Sequence, residues 1–351
     1  MKDKILLLML TTLLFASFGL GPPVRAADYK TITDMDDRRI EVPAIPKRIA
    51  CMHGVSSDRI VMLGKGNCLV LTMKPSPWAQ RLYPEIRNVE TVQPPFTGNV
   101  EKLLRLKVDL VLYSPFPGEA EKYEAAGIKT ACGFSARKRP RTINEFSDDF
   151  KRQVSFFGDL LGPDAKTRAD KYCQYFDGKI NRILAITSKV EKKDRPTVYY
   201  GGRGGDPLAS QGKASFMHWI TEVSGGIFLP QALDNNFTEV NMEQVLSWDP
   251  DIILVSGWGN AAENVKKDPH WASMRAVKDG KLYVIPNGVF MWDIASGESV
   301  LLAIYLAKKF HPDLFRDWDM VGEMKNFYSE VYGKTITNED AERILRCLPP
   351  M

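Results

Sequence analysis

At 351 residues, the chain is long enough for two units that each bury their own core. Hydrophobic residues make up 44% and charged residues 26%, the balance of a globular protein rather than a disordered or fibrous one. Lysine and arginine total 47 against 43 acidic residues, and a net charge of +4 is too weak to indicate nucleic acid as a partner.

Residues 1–26 differ from the rest. Lys2 and Lys4 precede an apolar stretch from Ile5 to Leu20, and Val24-Arg25-Ala26 places small residues where a leader peptidase reads them. The pattern predicts a secretory signal peptide cut after about Ala26; the stretch is short for a membrane span. No cysteine at the leader's end offers a lipobox, and no later segment is long and apolar enough to cross a bilayer. An exported protein tolerates disulfides, but the five cysteines (Cys51, Cys68, Cys132, Cys173, Cys347) form no Cys-x-x-Cys, and the odd count leaves at least one unpaired within a monomer. Cys51 and Cys68 lie in apolar, strand-like runs and are expected to be buried free thiols.

From residue 27 to 141, short apolar runs alternate with helical stretches. Strands are predicted at Arg48–Met52, Cys68–Thr72, Asp109–Ser114 and Ile128–Cys132, with helices over Ser57–Leu63, after Asn99 and over Gly118–Ala126. This alternation predicts a parallel sheet with helices on its faces. Residues 142–195 break the rhythm. Thr142-Ile-Asn-Glu145 reads as a capping box, followed by Ile143, Phe146, Phe150, Val154 and Phe157 at helical spacing. Gly162-Pro163 interrupts, and a second helix is predicted from about Asp164 to Val190. The first helix, roughly 20 residues and about 30 Å long, is long enough to run along two lobes. Over 196–351 the alternation resumes, with strands at Thr197–Tyr200 and Lys281–Pro286 and helices at Ser215–Val223 and Ser296–Phe310. The fold class is therefore α/β, with two Rossmann-like lobes joined by a long helical connector.

One segment occurs twice. Asn99-Val-Glu-Lys-Leu-Leu-Arg-Leu-Lys-Val-Asp-Leu-Val-Leu-Tyr-Ser114 aligns without a gap on Asn241-Met-Glu-Gln-Val-Leu-Ser-Trp-Asp-Pro-Asp-Ile-Ile-Leu-Val-Ser256. Each copy predicts a helix capped by Asn and then a strand buried on both faces. The copies stand too far apart for a solenoid, so they mark equivalent places in two lobes, each presenting one glutamate.

These pieces in their order resemble the class III periplasmic binding proteins, the receptors of ABC importers for ferric siderophores, haem and cobalamin. The resemblance covers nearly all of the mature chain. It rests on Thr33-Asp34-Met-Asp-Asp-Arg-Arg-Ile-Glu-Val-Pro43, Pro46-Lys47-Arg48-Ile49, Met62-Leu63-Gly64, both Asn-x-Glu repeats, Gly225-Gly226, Val284-Ile285-Pro286, Leu306-Ala307-Lys308 and His311-Pro312. It implies a ligand cleft between the lobes, limited closure, a monomer, and delivery to an ABC permease dimer with its ATPase. The family's permease-docking glutamates fall on Glu101 and Glu243. Each also has a plain structural reading, since an acid in the first turn of a helix complements its dipole.

In such a fold the ligand touches loops at the carboxyl ends of the strands. Those loops hold His53, Trp78, Phe96 and Phe116 in the first lobe and Arg203, Phe237, Trp258 and Trp292 in the second. Large apolar faces with few polar groups suit a bulky metal chelate, and Arg203 in Gly201-Gly-Arg-Gly-Gly205 suits an anionic one. Trp78 and Phe96 serve equally as packing of the rim, and His53 reads either as a ligand to the chelate's metal or, more simply, as a satisfied polar residue. Trp219, Trp248 and Trp271 read as core, and His311 as a cap on the last carbonyls of a helix. With four dispersed histidines, no bare-metal site and no resident cofactor are expected. A ferric siderophore leads among ligands, then cobalamin or another corrinoid, then haem. An enzyme on the same scaffold is disfavoured by the absence of Gly-x-Ser-x-Gly, His-Glu-x-x-His and P-loop motifs.

Overall fold

The computed structural model describes residues 28–94, 96–113, 116–134, 139–235 and 237–351, so the predicted leader lies outside the described residues. Two parallel sheets organise the chain. The first runs Glu90–Thr91, Leu69–Thr72, Ile49–Cys51, Leu110–Tyr113, Thr130–Cys132 in spatial order. The second runs Ile227–Phe228, Thr197–Gly201, Ile252–Val255, Leu282–Val284. Helices cover their faces, which is why the inner strands are continuous apolar runs rather than alternating ones.

The repeated segment is a repeat in three dimensions. Asn99 Oδ1 accepts the Lys102 N–H at 3.0 Å, and Asn241 Oδ1 accepts the Gln244 N–H at 2.7 Å, so each helix has the same cap. Both turns that follow pass through left-handed backbone at the same position, Lys107 (φ 49°) and Asp249 (φ 38°). The aspartate ahead of each strand then fastens a neighbouring strand's start. Asp109 accepts the N–H groups of Lys47 and Arg48, and Asp251 accepts the N–H and hydroxyl of Thr197. Each repeat strand is flanked on both sides, Leu110–Tyr113 by Ile49–Cys51 and Thr130–Cys132, Ile252–Val255 by Thr197–Gly201 and Leu282–Val284.

Between the sheets lie helices Ile143–Leu161 and Pro163–Thr187. Gly162 (φ 102°) makes the corner that an L side chain resists, and Pro163 opens the second helix where its missing N–H costs nothing. Thr142 caps the first helix by accepting the Glu145 N–H. The expected reciprocal arm is different, because the Glu145 carboxylate accepts the Arg141 N–H instead. The complete capping box is at Thr337 and Asp340, ahead of helix Asn338–Leu345. Phe150 stacks on Phe176 with centroids 4.5 Å apart and also meets Phe216, while the Arg59 guanidinium lies 4.7 Å over its ring. The connector thus joins both lobes through one buried apolar cluster.

A second seam crosses between the lobes. Asp58, buried, accepts the Gly297 N–H at 2.7 Å and the Tyr332 hydroxyl at 3.1 Å, and Arg59 donates to the Ala295 carbonyl at 2.7 Å. Farther along, Arg81 grips Asp340 with both guanidinium nitrogens, and the Tyr83 hydroxyl reaches the Tyr332 carbonyl. The last helices therefore close back onto the first lobe. His311 takes a different partner from the one expected: its Nε2 pairs with the Gly225 carbonyl at 3.0 Å, holding the turn after helix Phe216–Val223. All five cysteines are free, Cys51 buried and Cys68 half-buried.

Candidate functional site

Loops leaving the carboxyl ends of the two sheets meet each other. Ser76 Oγ donates to the Gly288 and Val289 carbonyls, and Arg139 donates to the Lys213 and Asp234 carbonyls. Phe290 packs where Gly54 has no side chain; a Cβ there would stand 2.3 Å from its ring. The candidate ligand residues come from these loops and the ones beside them.

Three second-lobe candidates gather on one rim. The Arg203 guanidinium lies 4.7 Å over the Phe237 ring, a cation–π contact that steadies a flexible side chain. Strand Phe237–Glu239 pairs with Ala209–Gln211, directly after the Arg203 loop. The Trp258 loop abuts that same loop: a Cβ on Gly259 would come within 2.9 Å of Gly205 Cα, and Asn264 donates to the Gly205 carbonyl. Trp258 and Phe237 are 53% and 49% exposed, large apolar faces left open to solvent. On the first lobe, Phe116 is 51% exposed, and Phe96 is half-buried against the core in left-handed backbone (φ 61°).

His53 stands just before helix Gly54–Met62, its ring stacked on Phe134 at 4.7 Å. Burial pushes its pKa down to about 4, so the imidazole is neutral, and Nδ1 has no hydrogen-bond partner among the described residues. Two tryptophans are placed elsewhere. Trp78 is packed inside, donating its indole N–H to the Leu348 carbonyl at 2.9 Å beneath Arg81, and so joins the C-terminal segment to the first lobe. Trp292 is fully buried, its carbonyl accepting the Ser299 hydroxyl. Neither presents a face to solvent, because position after a strand does not specify which way a side chain turns.

Beneath the second-lobe rim is a polar cluster that motif spacing does not reveal. The Tyr200 hydroxyl donates to the buried Asp293 carboxylate at 2.9 Å, and Gln211 Nε2 donates to the Asp293 carbonyl. Burial raises the pKa of Asp293. In sequence Tyr200 reads as strand interior and Asp293 as an isolated loop acid. No group of three His, Cys, Asp or Glu among the described residues is arranged to hold a metal ion.

Glu101 and Glu243 lie on the surface, at the same position of their two helices. Neither carboxylate has an ion-pair partner among the described residues, although Lys102 and Arg105 beside Glu101 both reach Glu90.

A family model for periplasmic binding proteins matches residues 49–288. The chain belongs to the periplasmic binding protein family. It is similar to the molybdate-binding protein MolA of Haemophilus influenzae, at 23% identity over 95% of this chain and 99% of that one. The vitamin B12-binding protein of Salmonella typhimurium is 25% identical over 63% of this chain and 76% of its own length. Among solved structures, MolA with molybdate superposes with a TM-score of 0.78 at 21% identity, over 88% of this chain and 99% of that one. This periplasmic binding protein therefore has the two-lobed class III fold that its motif order implies. No helix among the described residues is long and apolar enough to cross a membrane.

Proposed function

We propose that this periplasmic binding protein captures an anionic metal chelate, a ferric siderophore first, and delivers it to an ABC permease dimer driven by its ATPase. The observation that carries the reading is the rim where Arg203 lies over Phe237 and its loop packs against the loop of the exposed Trp258. A guanidinium framed by aromatic faces suits a flat ligand with peripheral negative charge. Phe116, Phe96 and the neutral His53 are the first lobe's contribution. The protein acts as a monomer, exported and cleaved after about Ala26, and without catalysis of its own. Glu101 and Glu243 are the points that meet the permease, where exposed carboxylates give orientation and encounter rate more than affinity.

A second reading has its own support. A relative that matches along nearly its full length is named for molybdate, and neutral donors such as His53 suit a small oxyanion. Tryptophan fluorescence separates the two, with a ferric catecholate, cyanocobalamin, haemin and molybdate as probes. The expected result is saturable quenching by the ferric catecholate that falls by more than half in Trp258→Phe, with affinity about tenfold weaker in Arg203→Ala. Binding of molybdate alone would replace the chelate reading with the oxyanion one.

A further inference from the structure

The two copies of the repeat share their exposure position by position. From Asn99 to Lys107 and from Asn241 to Asp249, exposed, half-buried and buried residues alternate in the same order. Two of the five exposed positions have nonetheless diverged, and both carry a charge in the first copy. Arg105 stands where the second copy has Ser247, and Lys107 where it has Asp249. Apart from the capping Asn, two exposed positions are the same in both copies: the glutamate and a leucine three residues on, Leu104 and Leu246.

Leu104 is 54% exposed and Leu246 39%, while the leucine or valine just before each, Leu103 and Val245, is fully buried. Residues three apart share a helix face, with Cβ atoms about 5–6 Å apart. Each lobe therefore presents a carboxylate without an ion-pair partner among the described residues and an apolar side chain beside it. A single exposed leucine needs no explanation. The same glutamate–leucine pair kept on the same face of both lobes, while the charges around it changed, points to a surface used twice.

We infer that Leu104 and Leu246 are apolar anchors of the permease interface, each seated in a socket beside the cation that receives Glu101 or Glu243. The inference rests on the delivery function proposed above and adds to it the source of affinity. Two matching patches require two matching sockets, so the partner is a membrane protein with two like subunits, each offering a basic residue at the edge of an apolar hollow. The carboxylates select and orient, and the leucines, desolvated on contact, slow dissociation.

The test uses the full mature chain and its cognate permease–ATPase complex held in lipid nanodiscs, with binding followed at low and high salt. Leu104→Ser and Leu246→Ser should each weaken binding about tenfold, and the double variant roughly a hundredfold, with the salt dependence unchanged. Glu101→Gln with Glu243→Gln should instead flatten the salt dependence. Both leucines are exposed, so thermal melts of the variants should match wild type. Wild-type affinity in the double leucine variant, with the glutamate variant impaired, overturns the anchors and leaves the delivery function standing. A wild-type chain that does not bind the complex overturns both.

Discussion

Buried in the seam between the lobes, the Glu298 carboxyl accepts the Phe290 N–H at 2.8 Å and the Tyr328 hydroxyl. Burial pushes its pKa up to about 8 from the usual 4.5, so the folded protein carries a proton there through neutral pH. The unfolded chain releases that proton above about 4.5. This contribution to stability is therefore complete below pH 4.5 and is lost as pH rises toward 8, at about 1.4 kcal/mol per unit and a few kcal/mol in all. His53 and His218 act in the opposite sense, since both are held neutral down to about 4 and favour the folded state more as pH rises from there to the usual 6.5. Denaturant unfolding between pH 5 and 8 should show Glu298→Gln gaining on wild type as pH rises. A difference that does not change with pH would contradict the protonated Glu298. Residue identity was easier to find in the sequence than residue orientation. Arg203 and Phe237 meet and the Trp258 loop packs against the Arg203 loop, but Trp78 and Trp292 turn inward, and only the packing of distant segments such as Leu348 and Ser299 reveals that.

Elements set by local chemistry were legible. Asn caps, the Gly162-Pro163 corner and the fully buried strands all carry their signal within a few residues of themselves. The antiparallel pair Ala209–Gln211 with Phe237–Glu239 was not, because each strand is short and its partner lies across an intervening helix. The reciprocal cap at Thr142 failed for a related reason: its Glu145 carboxylate had a second backbone N–H, that of Arg141, within reach. Gly162 gives the direct test at this scale. Its left-handed φ of 102° disfavours any Cβ, while the space around it admits one at ordinary contact distance from Ile45. Gly162→Ala should cost about 1–2 kcal/mol from backbone strain alone, read as a lower denaturation midpoint with an unchanged slope. An equally stable variant would mean that the corner tolerates a side chain.

Across the whole molecule, two seams tie the lobes, the connector helices on one hand and the Asp58–Tyr332 and Arg81–Asp340 contacts on the other. Such a frame joins the two lobes that carry the repeated helices, and the proposed two-point delivery draws on both. The paired glutamates belong to this scale, since either one alone is an ordinary first-turn acid. The deciding measurement is ATP-driven uptake of a radio-iron ferric catecholate into proteoliposomes carrying the permease complex, with Glu101→Arg and Glu243→Arg combined. The double variant is expected to bind the chelate as tightly as wild type and to support no uptake above background. Uptake at the wild-type rate would contradict the two-point delivery of cargo from these lobes.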